Sequence, residues 1–334
     1  MKVLGIESSC DDTGIALIDG NNICENVVLK QEHKKGVIPE YAARAHHSAL
    51  FEYANDVIGN KKIDLIAYTA GPGLIGSLFV GSCFAKGLSY ASNVPSIGVN
   101  HLEAHVILPY WMNQDVIEFP YLCLLISGGH TMLILVRKLG RYEILARTLD
   151  DAIGEVFDKV ARYIGLDYPG GPQIEKEAQD SSCSNFGESF SYQHEFKFPN
   201  VMYNRDDFSF SGLKTAAMMH KVTKESRPDF CAQFQEHIAN LLSEKTQRAF
   251  NKVNQVLKKP IRHCVISGGV AANKVIRAKF DELAKSLNCA MHYPPIEYCT
   301  DNGLMIAALG QLRYEQYGAS GFDEKIFASS KWTD

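Results

Sequence analysis

Residues 3–18 read VLGIESSCDDTGIALI: an apolar run at 3–6, a polar stretch at 8–13 and a second apolar run at 14–18. Short apolar runs split by small polar residues are the pattern of a β-hairpin with buried strands. The design returns at residues 121–137. There an apolar strand ends in Ile126, Ser127-Gly128-Gly129-His130-Thr131 turns the chain, and a strand follows over 132–136. A hairpin repeated in this way predicts two related lobes facing each other.

Between and beyond the hairpins, helices alternate with strands. The expected elements are a helix at 39–58, a strand at 63–69, a helix at 75–91 opened by Gly71-Pro72-Gly73, a strand at 95–99 and a helix from about residue 100. In the second half, Ile153, Val156, Phe157, Val160, Ala161 and Ile164 recur at helical spacing over 150–164. Pro169-Gly170-Gly171-Pro172 reads as a turn, and the polar residues of 181–211 as a surface excursion. A long helix at 230–257, a strand at 261–266 running into Ser267-Gly268-Gly269, a helix at 273–287, a strand at 290–293 and a helix from Asp301 through Tyr317 complete the chain. Such alternation defines an α/β protein.

Composition narrows the function classes. The 334 residues suffice for two lobes with their own cores, and 46% hydrophobic with 22% charged residues argues against disorder. The first dozen residues turn acidic too early for a secretory signal, and no apolar run is long enough to span a bilayer, so a cytosolic protein is expected. The nine cysteines are scattered without a C-x-x-C pair, which predicts buried reduced thiols. A net charge of -4 is not that of a protein that binds nucleic acid tightly by itself, so any RNA contact must be local or assisted. Basic residues gather at Lys30, Lys34, Lys35 and Arg44 and again at Lys214, Lys221 and Lys224, as solvated faces or as binding patches.

Three constellations carry chemistry. The turns Ser127-Gly128-Gly129 and Ser267-Gly268-Gly269 both follow buried strands, where glycine lets the backbone approach phosphate or ribose. No G-x-x-x-x-G-K-[ST] occurs, which excludes a P-loop. In His101-Leu102-Glu103-Ala104-His105, two histidines four apart share one helical face, as two ligands of one metal would. Glu103 points away from that face, so the base of an H-E-x-x-H metalloprotease is absent. Asp301, at the expected N-cap of the last long helix, is a third candidate ligand reaching the pair from the other lobe; read alone, it is a helix cap. Two imidazoles and a carboxylate suit Fe(II), Zn(II) or Mn(II) with positions left open for substrate. Asp158 is either an exposed helix charge paired with Arg162 or a ribose-binding carboxylate beside the Pro169–Pro172 turn.

Taken together, GIESSCDDT (5–13), GPGL (71–74), NHLEAH (100–105), SGGHT (127–131), FDKVAR (157–162), SFSGLKT (209–215) and SGGVAAN (267–273) resemble the TsaD family, once called O-sialoglycoprotein endopeptidase-like, over nearly the whole chain. The resemblance implies a two-lobed actin-like, heat-shock-ATPase-like (ASKHA) fold with duplicated lobes around a nucleotide cleft. The lobes are expected at 1–120 with about 301–334, and at 121–300. The implied reaction moves a threonylcarbamoyl group from threonylcarbamoyl-AMP to N6 of adenosine 37 in the anticodon loop of tRNAs that read codons beginning with A. By position, His101, His105 and Asp301 match the metal ligands, usually of one iron per subunit. Leu125, Ile126, Ser127, Gly128, Gly129, Asp158, Gly171, Glu175 and Asn273 match the substrate-binding residues, with Glu175 where many members carry aspartate. TsaB-like and TsaE-like accessory proteins are the implied partners, and no membrane. No general base is evident; His130 is a candidate by location alone.

Two other readings use the same residues. A small-molecule kinase or ATPase of this fold would take Glu7 or Asp11 as its acid near the phosphates. A non-catalytic scaffold has no use for the histidine pair.

Overall fold

The computed structural model describes residues 1–31, 37–181, 192–200 and 205–329. Lys34 and Lys35 of the first basic cluster, and much of the expected excursion (182–191 and 201–204), lie outside the described residues. The chain divides into two compact units. One is Met1–Val116 with the described residues from Thr300 on, the other Ile117–Cys299.

In the first unit β1 (Lys2–Glu7) and β2 (Thr13–Asp19) form the expected hairpin, with Lys2 opposite Asp19 and Glu7 opposite Gly14. Strand β3 (Asn22–Leu29) extends the meander, and α1 (Pro39–Ile58) follows. Then β4 (Leu65–Gly71) pairs parallel to β1, α2 (Ile75–Ser92) crosses back, and β5 (Ser96–Asn100) pairs parallel to β4. The sheet order is β3-β2-β1-β4-β5. Helix α3 (His101–Met112) leaves directly from β5.

The second unit repeats this plan. Strands β6 (Tyr121–Ile126), β7 (Thr131–Lys138) and β8 (Arg141–Arg147) form an antiparallel meander. Helices α4 (Ile153–Tyr163), α5 (Gly170–Ala178), α6 (Ser211–Met219) and α7 (Arg227–Val256) come next. Strand β9 (His263–Ser267) pairs parallel to β6, α8 (Lys274–Leu287) follows, and β10 (Ala290–His292) pairs parallel to β9. The order β10-β9-β6-β7-β8 is the first sheet's order read from the other end. The duplication inferred from two hairpins therefore extends to all ten strands of the described residues. Phe157, Phe208, Phe210, Phe230, Phe234 and Phe280 fill this unit's core.

The chain then returns to the first unit as α9 (Gly303–Tyr317). Strand side chains alternate between faces. Leu4 and Ile6 of β1 accordingly pack with Leu50, Ala54 and Val57 of α1 and Ala85 of α2. Gly5, between them, faces α9, where a Cβ would collide with Gly303 O and Ala307. Residues Gly303–Gln311 are all buried, as a helix laid across a sheet requires. Beyond α9, Phe327 N donates to Ala70 O (3.0 Å) and Ser320 N to Ser96 O (2.9 Å), so the tail straps the ends of β4 and β5.

Several expectations are corrected. Pro169–Pro172 is not a free turn: Gly170 opens α5, and a proline in a first helical turn gives up an amide that has no partner there. Asp301 does not cap α9; Asn302 does, its Oδ1 accepting from Met305 N at 3.0 Å. Asp301 also belongs to the unit that carries the histidines, so the carboxylate is not supplied from the other unit. Ser211 begins α6 rather than ending an excursion. Among the described cysteines Cys123, Cys231, Cys264 and Cys299 are buried as expected, whereas Cys83 is exposed; all are free thiols. Among the described residues no helix is long and apolar enough to cross a membrane.

Candidate functional site

The first site lies within the first unit, where β5 becomes α3. Asn100 Oδ1 accepts from Leu102 N (2.9 Å) and Glu103 N (3.1 Å), a side-chain cap that starts the helix at His101. One turn on, His105 brings its ring to 4.8 Å from that of His101, edge to face. Both point Nε2 at one oxygen: Asp301 Oδ1 lies 2.9 Å from His105 Nε2 and 3.7 Å from His101 Nε2. The three ligand atoms fall within 4.8 Å of one another. The histidines are buried, while the Asp301 side chain keeps 27% of its surface, so the cluster has one open side. Two nitrogens and one oxygen with an open side are the donor set of a catalytic transition-metal site.

The surroundings hold these ligands in place. Glu7 Oε2 lies 3.0 Å from His101 Nδ1, and Ser9 Oγ lies 3.1 Å from the same nitrogen. The His101 pKa is raised to about 9: burial works to lower it, but the Glu7 and Asp301 carboxylates outweigh burial. A metal at Nε2 would take the proton's place. The Glu7 carboxyl is held below its usual range by His101, against the effect of burial. Glu103 turns away, as its spacing predicts, and accepts from Arg313 Nη2 of α9 at 2.6 Å. The hairpin turn is pinned from the helices: Leu74 N donates to Ser9 O (2.7 Å), Ser77 Oγ donates to Cys10 O (3.1 Å), and His46 Nε2 lies 3.0 Å from Cys10 O. Sequence reasoning singled out neither His46 nor Asp12. The Asp12 carboxyl is pushed up to about 7, first by burial and then by Asp11 and Asp301. Its place in the polar turn of the first hairpin was the available signal for it.

The second site lies within the second unit, beyond the ends of β6 and β9, which run side by side with Leu125 against Ser267. Leu125 and Ile126 are wholly buried, so only their main chain can face a ligand. Ser127 N donates to His130 O (2.8 Å) and His130 N to Ser127 Oγ (3.2 Å), so His130 closes the turn with its backbone. Gly268 sits at φ +94°, and a Cβ there would collide with Ile126 O. Packing demands that glycine. By contrast, a Cβ on Gly128, Gly129 or Gly171 would meet no described atom within 4 Å.

Asp158 is not an exposed charge. Its Oδ1 accepts from Gly170 N at 2.7 Å, and burial raises its pKa. Gly170 lies tight against α4, with Ala161 Cβ 2.6 Å from where its own Cβ would be. Glu175 Oε1 accepts from Lys274 N (3.2 Å) at the start of α8. Asn273 caps that helix through Ile276 N (3.0 Å) and donates to Gln235 Oε1 (3.1 Å). The hydrogen bonds of Asp158 and Glu175 thus link α4 to the start of α5 and α5 to the start of α8 inside one unit.

The fold of these two units recurs in solved structures. Full-length HypF in its phosphate- and nucleotide-bound form superposes with a TM-score of 0.58 at 15% identity, over 96% of this chain and 47% of that one. HypF of T. kodakarensis gives 0.59 at 13% identity, over 95% and 48%, so the chain spans about half the length of the HypF chains it matches. A ROK family protein of Streptococcus pneumoniae TIGR4 gives 0.50 at 12% identity, over 95% and 99%. The architecture is therefore the actin-like α/β fold of the ASKHA class. The family model described as "TsaD: tRNA N6-adenosine threonylcarbamoyltransferase" matches residues 22–308, and the chain belongs to that family. Relatives named tRNA N6-adenosine threonylcarbamoyltransferase include those of Francisella philomiragia subsp. philomiragia (40% identical over 332 residues, 94% of both chains) and Thermosipho africanus (43% over 331, 95% of both). That of Dictyoglomus turgidum is 42% identical over 347 residues, covering 99% of this chain and 97% of its own.

Proposed function

We propose that this chain, a transferase of tRNA modification by family, moves the threonylcarbamoyl group of threonylcarbamoyl-AMP to N6 of adenosine 37 in tRNAs reading codons that begin with A. The observation that carries the reading is the convergence of His101, His105 and Asp301 on one point, in a chain of this family. The N6 amine attacks the carbamoyl carbonyl, the bond from that carbon to the phosphate oxygen breaks, AMP departs, and N6 loses a proton. A divalent metal, Fe(II) foremost and Zn(II) or Mn(II) by the same donor set, would be held by His101, His105 and Asp301 and would supply Lewis-acid polarisation of donor oxygens.

The chain's own residues do the positioning. Open glycines at 128, 129 and 171 let backbone amides approach the phosphate and the sugar. Asp158, Glu175 and Asn273, each fixed by its own hydrogen bond to Gly170, Lys274 and Gln235 respectively, hold the adenylate part so that attack is effectively intramolecular. We further assign the lobe boundaries to 1–120 with about 301–334 and 121–300, and the location to the cytoplasm. TsaB-like and TsaE-like accessory proteins share the tRNA. The exposed side chains of Tyr41 and Phe51 on α1 and of Ile75 and Phe79 on α2, two helices in contact, support a protein partner.

The test combines protein, accessory proteins, threonylcarbamoyl-AMP and unmodified tRNA, with nucleosides analysed by mass. Threonylcarbamoyladenosine and AMP should appear in equal amounts. His101→Ala with His105→Ala should abolish metal uptake and lower the rate at least about a hundredfold. Full activity in a metal-free double variant would end the metal reading; ADP formed from ATP and a small acceptor would favour a kinase.

A further inference from the structure

We propose that Glu7 is a positioning residue for the metal centre: its carboxylate takes the Nδ1 proton of His101 as a hydrogen bond and so leaves Nε2 as the ligand atom. The inference rests on the metal reading above. Glu7 ends β1 and is fully buried. Burying a carboxylate is costly without donors around it. Its Oε1 accepts from Ser9 N at 2.5 Å, and its Oε2 accepts from Thr69 Oγ1 at 2.7 Å while facing His101 Nδ1 at 3.0 Å. Bracing the turn through Ser9 N uses only Oε1. The other oxygen is directed at the histidine, and Thr69 holds it there from β4, the strand paired with β1.

An ionised carboxylate only accepts hydrogen bonds, so the imidazole must present Nδ1–H to it. The neutral ring then carries its lone pair on Nε2, the atom facing Asp301 Oδ1. The bond also fixes the ring plane. Carboxylates behind a ligating imidazole commonly matter by 10–100-fold in metal affinity. Glutamine at this position keeps the shape but can turn its amide N–H toward Nδ1. That favours the other tautomer, with a proton on Nε2 where the ligand lone pair is needed.

The experiment uses the metal-stripped full chain with Co(II) as probe, read by calorimetry and by the visible absorption of bound Co(II). Glu7→Gln should weaken Co(II) binding about 10–100-fold and change the band intensities. Thr69→Val, which keeps both charges, should weaken it in the same direction by less. A role confined to bracing the hairpin would lower the melting temperature of the metal-free variants and leave the affinity of folded protein unchanged. That result, or Co(II) affinities of both variants within about twofold of the parent, overturns the inference. If Glu7→Gln does not fold, Thr69→Val decides alone. A parent protein that takes up no Co(II) refutes the metal reading itself, an outcome distinct from failure of Glu7 within a working site.

Discussion

Gly128 and Gly268 look alike in sequence, each the first glycine after a strand and a serine, yet they answer to different demands. Gly268 is required by its own fold, through a positive φ and the approach of Ile126 O. A Cβ on Gly128 would point into open space. Gly128→Ala should therefore leave thermal stability unchanged or raise it by up to ~1 kcal/mol. The same change should weaken AMP binding about tenfold, ~1.4 kcal/mol, as measured by calorimetry. Asp12 supplies a pH test. Its folded pKa of about 7 lies above the value of an exposed carboxyl, so its ionisation opposes folding, fully so above about pH 7. The penalty fades as pH falls through 7 and is gone below the unfolded value near 4. Asp12→Asn in the metal-free protein should raise the melting temperature at pH 8 by an amount worth on the order of 1–2 kcal/mol, after allowance for partial solvent exposure. The gain should shrink at pH 6; a gain equal at both values would refute the assignment.

Among the elements, α9 shows how a single side chain delivers another. Asn302 caps the helix and its backbone places Asp301 immediately before it. Asn302→Ala should cost about 0.5–2 kcal/mol in denaturant unfolding and also weaken metal binding, because the residue preceding the cap loses its fixed direction. Sequence pattern located the helix but placed its cap one residue early, since aspartate and asparagine are equally good caps. The inner strands of both sheets and α1 were legible because they are long apolar or amphipathic runs. Strands β3 and β8 were not: each lies at a sheet edge and mixes charges such as Glu25, Arg141 and Glu143 into its pattern. Helix α5 was hidden by Gly170-Gly171-Pro172, which signals a turn unless packing against α4 holds it helical. The candidate metal ligands were legible by spacing and resemblance. The support for His101 was not, because Glu7 lies 62 residues from Thr69 and 94 from His101 in the chain.

For the molecule as a whole, the first unit is discontinuous and its candidate metal ligands come from both of its segments. Saturating Co(II) should slow amide exchange in α3 and at the start of α9, with β6–β8 of the second unit unaffected; uniform protection across both units would contradict a site confined to one of them. The division of the first unit into early and late segments bears on biosynthesis. A nascent chain halted between His105 and Asp301 carries both imidazoles of the candidate cluster without its carboxylate, so translation must pass through the entire second unit before the three side chains can meet. On the metal reading proposed above, prematurely terminated products would lack one of the three donors and would hold such an ion more weakly than the finished chain.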